Sequence, residues 1–128
     1  MVFHGQKLRN GHVVYVTGNN RVIELDSGGK EVVSIAVANT GGWASAERLS
    51  NGHYLVALYS SSKVVEVDRT GKVFWEVSVP SPGHATRLRN GHTLVASIEG
   101  RAVFEYDRSG KQVWKQATQG RPFHVRRR

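Results

Sequence analysis

The sequence contains no cysteine and no long apolar run. Without cysteine, disulfides, thiolate metal sites and cysteine nucleophiles are excluded. No uncharged stretch of about 20 apolar residues is available for a membrane-spanning helix, and the first residues lack the apolar core of a secretory signal. These absences predict a soluble domain in the cytoplasm, with the location left open if the chain is a fragment of a longer protein.

Acidic residues are missing from the last part of the chain. Residues 108–128 carry seven basic side chains and no acid, so they account for most of the net charge of +8. A basic end without a second basic face or a strip of stacking aromatics is typical of a solvated tail or edge strand. We therefore expect neither a nucleic acid nor a membrane as a partner.

The sequence does contain an internal repeat, within a length of 128 residues that fits one domain. Asn-Gly-His occurs three times, and each copy is followed by Glu-x-Asp and then by Gly-Lys. Residues 46–77 align without a gap on residues 85–116, with 16 identities in 32 positions. We interpret the repeated residues as structural: Asn10, Gly11, His12, Asn51, Gly52, His53, Asn90, Gly91, His92, Asp26, Asp68 and Asp107.

Within a repeat, the side chains follow the period of two that is typical of strands. Asn-Gly predicts a type I′ hairpin turn with positive φ at both residues. Asp-x-(Ser/Thr)-Gly-Lys predicts a second turn, with an Asx hydrogen bond and a left-handed glycine. The third repeat then has four strands: A, which ends near residue 88, B at 92–97, C at 102–106 and D at 112–116.

Four short antiparallel strands repeated every 40 residues or so predict an all-β fold, a β-propeller with three four-stranded blades. We place blade 1 at about residues 2–38, blade 2 at about 44–79 and blade 3 at about 84–117. Residues 121–128 would form an extra strand A of a further or partner blade.

The motif Asp-x-(Ser/Thr)-Gly-Lys-x-x-Trp at residues 68–75 and 107–114 resembles the tryptophan-docking motif of PQQ-type quinoprotein propellers, one residue shorter. Residues 84–95 are similar to the repeat unit of arylsulfotransferase-like propellers. The resemblance covers nearly the whole chain. It implies that Trp75 and Trp114 dock between blades, with Val33 in place of the tryptophan in blade 1.

Three blades do not close a ring, because propellers typically have four to eight. The outer faces of blades 1 and 3 would be exposed apolar surfaces, which drive association. We therefore expect the chain to oligomerise or to be part of something longer. Two copies would give six blades, so a homodimeric six-bladed ring is the preferred assembly.

Candidate ligand-binding residues lie where a propeller usually functions, on the face formed by the B to C and D to A connections, here called the top face. His4, His84 and His124 would open strand A at the channel mouth, and Trp43 lies in a D to A connection as a binding aromatic or as a plug. The histidines have three alternatives: capping the blade, contacting a ligand or metal, or acid–base catalysis.

Arg48 and Arg87, at the end of strand A, are further candidates. They could pair with the strand C carboxylates Glu66 and Glu105, which need partners if buried, or hold an anion in the channel. Lys7 takes the equivalent place in blade 1.

The sequence favours a non-enzymatic binding and assembly module that oligomerises to close the ring. Its ligand at the top face and channel mouth would be a small anionic or polar molecule, a glycan or a protein. No catalytic residue, metal site or cofactor is predicted, since no recognisable motif for one is present. The alternatives are a propeller enzyme of sulfotransferase or lyase type that uses a channel histidine, and a fragment of a longer propeller protein.

Overall fold

The computed structural model describes residues 5–38, 40 and 44–118. These residues form three four-stranded antiparallel sheets in which the strands follow chain order, as the sequence predicts. Nothing in this part of the chain is a helix with the length and hydrophobicity needed to cross a membrane. The strands are β1 (Gly5–Lys7), β2 (Val13–Thr17), β3 (Arg21–Leu25), β4 (Glu31–Ala36), β5 (Ala44–Arg48), β6 (Tyr54–Leu58), β7 (Lys63–Val67), β8 (Val73–Ser78), β9 (Pro82–Arg87), β10 (Thr93–Ser97), β11 (Ala102–Tyr106) and β12 (Gln112–Ala117).

The three sheets are copies of one blade with the same pairing register. Strands β1, β5 and β9 are strand A of blades 1, 2 and 3, and β4, β8 and β12 are strand D. The strand C glutamate lies opposite the position of the docking tryptophan in each blade, as the pairs Glu24 with Val33, Glu66 with Trp75 and Glu105 with Trp114. Val33 therefore occupies the tryptophan position of blade 1.

The turns between strands A and B differ from the predicted type I′ turn. Gly11 has a φ of 87°, but Asn10 is not among the residues with positive φ. Leu8 N donates to His12 O at 2.8 Å and Gly11 N donates to Leu8 O at 3.0 Å, so three residues separate the paired positions. This is a type I turn followed by a left-handed glycine, in which Asn10 Oδ1 accepts a hydrogen bond from His12 N at 3.0 Å instead of adopting positive φ. The other two blades repeat it.

The turns between strands C and D have the predicted Asx form. Asp26 Oδ1 accepts hydrogen bonds from the backbone N–H groups of Gly28 and Lys30, both at 2.9 Å. Asp68 and Asp107 do the same in blades 2 and 3. One carboxylate thus satisfies two turn donors and fixes the turn.

The hydrophobic core lies between the blades. Every residue of β6, in the central blade, is buried because a neighbouring sheet lies on each side of it, and every residue of β10 is buried as well. The core between blades 1 and 2 includes Ile35, Tyr54 and Val56. The core between blades 2 and 3 includes Leu55, Val95 and Phe104. Strand D, by contrast, forms the outer edge, where Phe74 is half exposed.

Substitution of two adjacent glycines in the C–D turn of blade 1 tests the conformation of that turn. Gly29 has a φ of 85°, and a Cβ there would meet no atom within 4 Å, so Gly29→Ala introduces only backbone strain. We expect it to lower the free energy of unfolding by about 1–2 kcal/mol. Gly28 has ordinary φ and room for a Cβ. Gly28→Ala should therefore raise the free energy by about 0.5 kcal/mol through the unfolded state.

Urea denaturation of both variants measures the difference. Equal effects of the two substitutions would contradict the assigned turn conformation.

Candidate functional site

Each blade buries one carboxylate near the face formed by the A–B and C–D turns, here called the turn face. Glu24, Glu66 and Glu105 come from strand C and have only 1%, 4% and 5% of their surface exposed. The pairing register shifts directly after each of them, in the manner of a β-bulge, and bulges redirect side chains. Because a buried carboxylate is costly without hydrogen-bonding partners, each of these glutamates requires donors from the surrounding protein.

The first partner is the histidine that follows the A–B turn of the same blade. The Nδ1 atoms of His12, His53 and His92 lie 2.6, 2.7 and 2.6 Å from the Oε2 atoms of Glu24, Glu66 and Glu105. The histidines interpreted as structural therefore share one contact in all three blades. Each of them ties the A–B turn to strand C.

The second partner is an arginine from the next blade. Arg48 of blade 2 lies 3.3 Å from Glu24 of blade 1, and Arg87 of blade 3 lies 3.0 Å from Glu66 of blade 2. Of the predicted partners Glu66 and Glu105, Glu66 pairs with Arg87, whereas Arg48 pairs with Glu24, which the sequence analysis did not name as a partner. Strand A projects its last side chain toward the preceding blade, so the ion pair links two sheets and not two strands of one sheet.

The Glu24 group has a further partner in Tyr54, whose hydroxyl donates to Glu24 Oε1 at 2.5 Å. Burial raises the pKa of Glu24, but hydrogen bonds from Tyr54 and His12 and the charge of Arg48 outweigh it, so the pKa lies below its ordinary value. Burial and the same carboxylate raise the pKa of Tyr54 to about 12. At neutral pH the site holds a carboxylate and a neutral phenol.

The Glu66 group is built into the interface between blades 2 and 3. Burial raises the pKa of Glu66, but the hydrogen bonds from His53 and Arg87 have the larger, opposite effect. The pKa of Glu66 therefore lies below its ordinary value. Arg87 also donates from Nε to Thr93 Oγ1 at 3.0 Å, and its guanidinium lies 5.4 Å from the centre of the Trp75 ring. Several contacts thus fix the arginine in one position.

Trp75 joins the same two blades at the turn face. Its Nε1 donates to the backbone oxygen of Arg108 in the C–D turn of blade 3, at 2.9 Å. The ring is partly buried and packs against the core between blades 2 and 3. Trp75 thus contacts the neighbouring blade, as the family resemblance implies. Trp114 holds the corresponding position of blade 3 and is partly exposed.

Only some of the candidate ligand-binding residues fall within the described part of the chain. His4, Trp43 and His124 lie outside it. His84 lies in β9 opposite Ala96. Arg48 and Arg87 lie near each other at the turn face, with their guanidinium groups directed toward carboxylates. The candidate residues therefore do not form a single group at the top face among the described residues.

The described residues contain no group of three or more histidine, aspartate or glutamate side chains placed to hold a metal ion. The His–Glu pairs occur one per blade and are separated by strands. Chemically, the Glu24 and Glu66 groups are ionic links that each join a turn, a strand and the next blade, and the Glu105 group joins the corresponding turn and strand.

The pairing of histidine with glutamate was missed in the sequence. His12 and Val14 lie on the same face of the extended chain, since side chains alternate, and Val14 lies directly opposite Glu24. The histidine is therefore the diagonal neighbour of the glutamate. Its spacing of 12 or 13 residues from the glutamate in every repeat is the signal that would have revealed the pair.

Comparison with protein families identifies the repeat. The family model described as "PQQ_2: Outer membrane protein assembly factor BamB" matches residues 38–128, well over half of the chain. The chain belongs to this family. No curated protein matches it.

Solved structures with the same fold are numerous. A protein of unknown function from Bacteroides caccae is 20% identical with a TM-score of 0.73, over 90% of this chain and 46% of that one. A streptogramin B lyase is 15% identical with a TM-score of 0.73, over 93% and 41%. The WD40 β-propeller domain of Doa1 is 12% identical with a TM-score of 0.72, over 94% and 41%. The chain thus has a PQQ-like propeller fold and spans less than half the length of these structures.

Removal of one arginine tests the links between blades. Arg87→Gln leaves the buried Glu66 without its charged partner from blade 3, and since Arg87 is itself 14% exposed, we expect a loss of about 2–3 kcal/mol, less than for a fully buried pair. Arg89→Gln is the matched control. Arg89 is exposed and is in no ion pair with a described residue, so its replacement should change stability by less than about 0.5 kcal/mol.

Chemical denaturation of the two variants gives both values. Equal stability of Arg87→Gln and the unmodified chain would show that the link between blades 2 and 3 contributes nothing.

The lowered pKa values of Glu24 and Glu66 predict how stability depends on pH. A carboxylate whose pKa is depressed in the folded state stabilises the fold at pH values above its unfolded pKa, ordinarily 4.5. That stability is lost as the pH falls through the folded pKa. The melting temperature should therefore fall steeply below about pH 4.5, as these two carboxylates take up protons.

Melting curves of Glu66→Gln identify the source of this acid limb. The variant should be less stable at pH 7 and should lose less stability on acidification. Glu76→Gln is the control, because Glu76 is in an exposed pair with Lys63 and its replacement should leave the acid limb in place. An acid limb that is unchanged in Glu66→Gln would refute this assignment.

Proposed function

We propose that the chain is a non-enzymatic assembly module that contributes three blades to a closed propeller ring and binds a ligand or protein partner on it. The observation that supports this proposal is the repeated link between blades. Each described interface combines an apolar core with a glutamate of one blade and an arginine of the next. The interfaces are therefore built to be repeated around a ring.

One end of the three-blade unit carries a residue equivalent to those that make such a link. Blade 1 presents Lys7, which lies opposite Val13 as Arg48 lies opposite Tyr54 and Arg87 opposite Thr93. Lys7 is exposed and is in no ion pair with a described residue. A second copy of the chain would bring Lys7 of one protomer to blade 3 of the other.

Two copies related by a twofold axis would give six blades through two equivalent contacts, within the four to eight blades typical of propellers. A longer chain with additional blades would supply the same contact in cis. The basic end of the chain, residues 121–128, falls outside the described residues, and its role as an extra strand A stays a prediction.

The comparisons support a role in assembly more than a reaction. The family model takes its description from an outer membrane protein assembly factor, and binding of other proteins suits a scaffold. Location in the cytoplasm stays a prediction, which that description does not favour. The lyases among the similar structures are 15–16% identical to this chain, so they support the fold and carry no activity over to it.

Light scattering in solution tests the assembly. We expect a mass of about twice the chain mass of 14.2 kDa, since three blades are fewer than the four to eight that typically close a ring and two copies supply six. Lys7→Glu should dissociate the dimer, because it reverses the charge at the strand A position that contacts the preceding blade in blades 2 and 3. Arg9→Glu makes the same charge change two residues away at an exposed turn position and should remain dimeric.

A well-folded species of 14.2 kDa at micromolar concentration would contradict the dimer. Dissociation by Arg9→Glu as readily as by Lys7→Glu would contradict a specific role of Lys7 in the contact between copies.

A further inference from the structure

A cleft on the turn face between blades 2 and 3 is lined by more arginines than take part in the links between blades. The cavity has a volume of ≈ 510 Å³, within the range of small-ligand sites, about 300–1,000 Å³. Four arginines line it: Arg48, Arg87, Arg89 and Arg108. We infer that this cleft binds a small multivalent oxyanion, a molecule that carries two or more phosphate or carboxylate groups.

The four arginines have different roles in the cleft. Arg48 and Arg87 are neutralised by Glu24 and Glu66, and their side chains are only 31% and 14% exposed. Arg89 and Arg108 are exposed and make no ion pair with any residue of the described part. Two uncompensated guanidinium groups therefore stand beside two that are fixed in place. Guanidinium groups suit this ligand because their paired N–H donors match the oxygens of a phosphate or carboxylate.

Arg108 is held near Arg89 by the backbone. Its carbonyl oxygen accepts the hydrogen bond from Trp75 Nε1 at 2.9 Å, which fixes the C–D turn of blade 3. Its side chain runs against Gly91 of the A–B turn, where an added Cβ would lie 3.0 Å from Arg108 Cδ. The glycine thus leaves space for the arginine to lie over the turn that carries Arg89. A fixed arrangement of this kind reduces the entropy lost when a ligand binds.

One acidic side chain, Glu47, also lines the cleft. Its Oε1 accepts a hydrogen bond from Thr86 Oγ1 at 3.0 Å, so part of its charge is directed into the protein. The uncompensated charge of the lining remains positive, with two free arginines against this one carboxylate. Glu47 would restrict the anionic groups of a ligand to the side of the cleft formed by Arg89 and Arg108.

The preceding interface offers a comparison within the same molecule. The residues that correspond to Arg87, Arg89 and Arg108 between blades 1 and 2 are Arg48, Ser50 and Arg69. Serine thus replaces one of the two free arginines. Because these positions are equivalent in the two repeats, Arg89 is the residue that distinguishes the cleft between blades 2 and 3 from its counterpart.

Titration calorimetry at low ionic strength, with inorganic phosphate, pyrophosphate and citrate as probes, tests the inference. We expect saturable binding of pyrophosphate or citrate at one site per chain, tighter than that of inorganic phosphate. Arg89→Gln and Arg108→Gln should each weaken it about tenfold, the loss expected for a charged hydrogen bond. Arg108→Lys should weaken it less, since the charge is kept and only the paired donors are lost.

Arg69→Gln is the matched control, because it removes the same charge from the same turn position one blade earlier. It should leave the dissociation constant within about twofold, since Arg69 does not line the cleft. Lys7→Glu should also retain binding, because the cleft lies within one chain. Loss of the dimer and loss of the anion site are thereby distinguished.

Absence of saturable binding for all three anions would overturn the inference. So would equal weakening by Arg69→Gln and Arg89→Gln, which would indicate a general attraction by net charge. Binding of a hexaglutamate peptide without binding of the three small anions would also overturn it, in favour of an acidic protein segment as the ligand.

Discussion

The structure depends on one buried carboxylate per blade. Glu24, Glu66 and Glu105 are almost fully buried, and each lies on strand C, an inner strand of its blade. A carboxylate in that position stabilises the fold only when several donors reach it together, because desolvation opposes its charge. The donors come from the A–B turn of the same blade and from strand A of the next. Folding of one blade and docking of its neighbour are therefore coupled through the same two oxygens.

This coupling explains features of the repeat that are distant in sequence. Asn10 fixes the A–B turn through its hydrogen bond to the backbone of His12. The turn then places the His12 imidazole beside Glu24. The arginine that completes the group is in the next repeat, 24 residues after the glutamate. Asn-Gly-His, the strand C glutamate and the strand A arginine thus recur together because they serve one contact.

The fold could be predicted because it follows from local signals. The repeat, the period of two and the aspartate turns each depend on residues close in the chain, and they lead to three four-stranded sheets. The A–B turn was predicted with the wrong type, since the asparagine bonds through its side chain and leaves positive φ to Gly11 alone. Glu24, the partner of Arg48 in the preceding blade, was not predicted for a related reason. Which sheet a strand end faces depends on the twist and packing of whole blades, and no short pattern in the sequence reports it.

The placement of charge extends the same logic to binding. Arg48 and Arg87 were candidates for holding an anion, and their guanidinium groups are already neutralised by glutamates. The remaining arginines, Arg89 and Arg108, lie within turns whose backbone is fixed by hydrogen bonds. The link between blades thus holds the backbone around the cleft in place, and the turn positions that do not take part in the link can contact a ligand. Since the turn residues differ from blade to blade while the link is constant, a propeller of this type can acquire a binding site at one interface without loss of stability at the others.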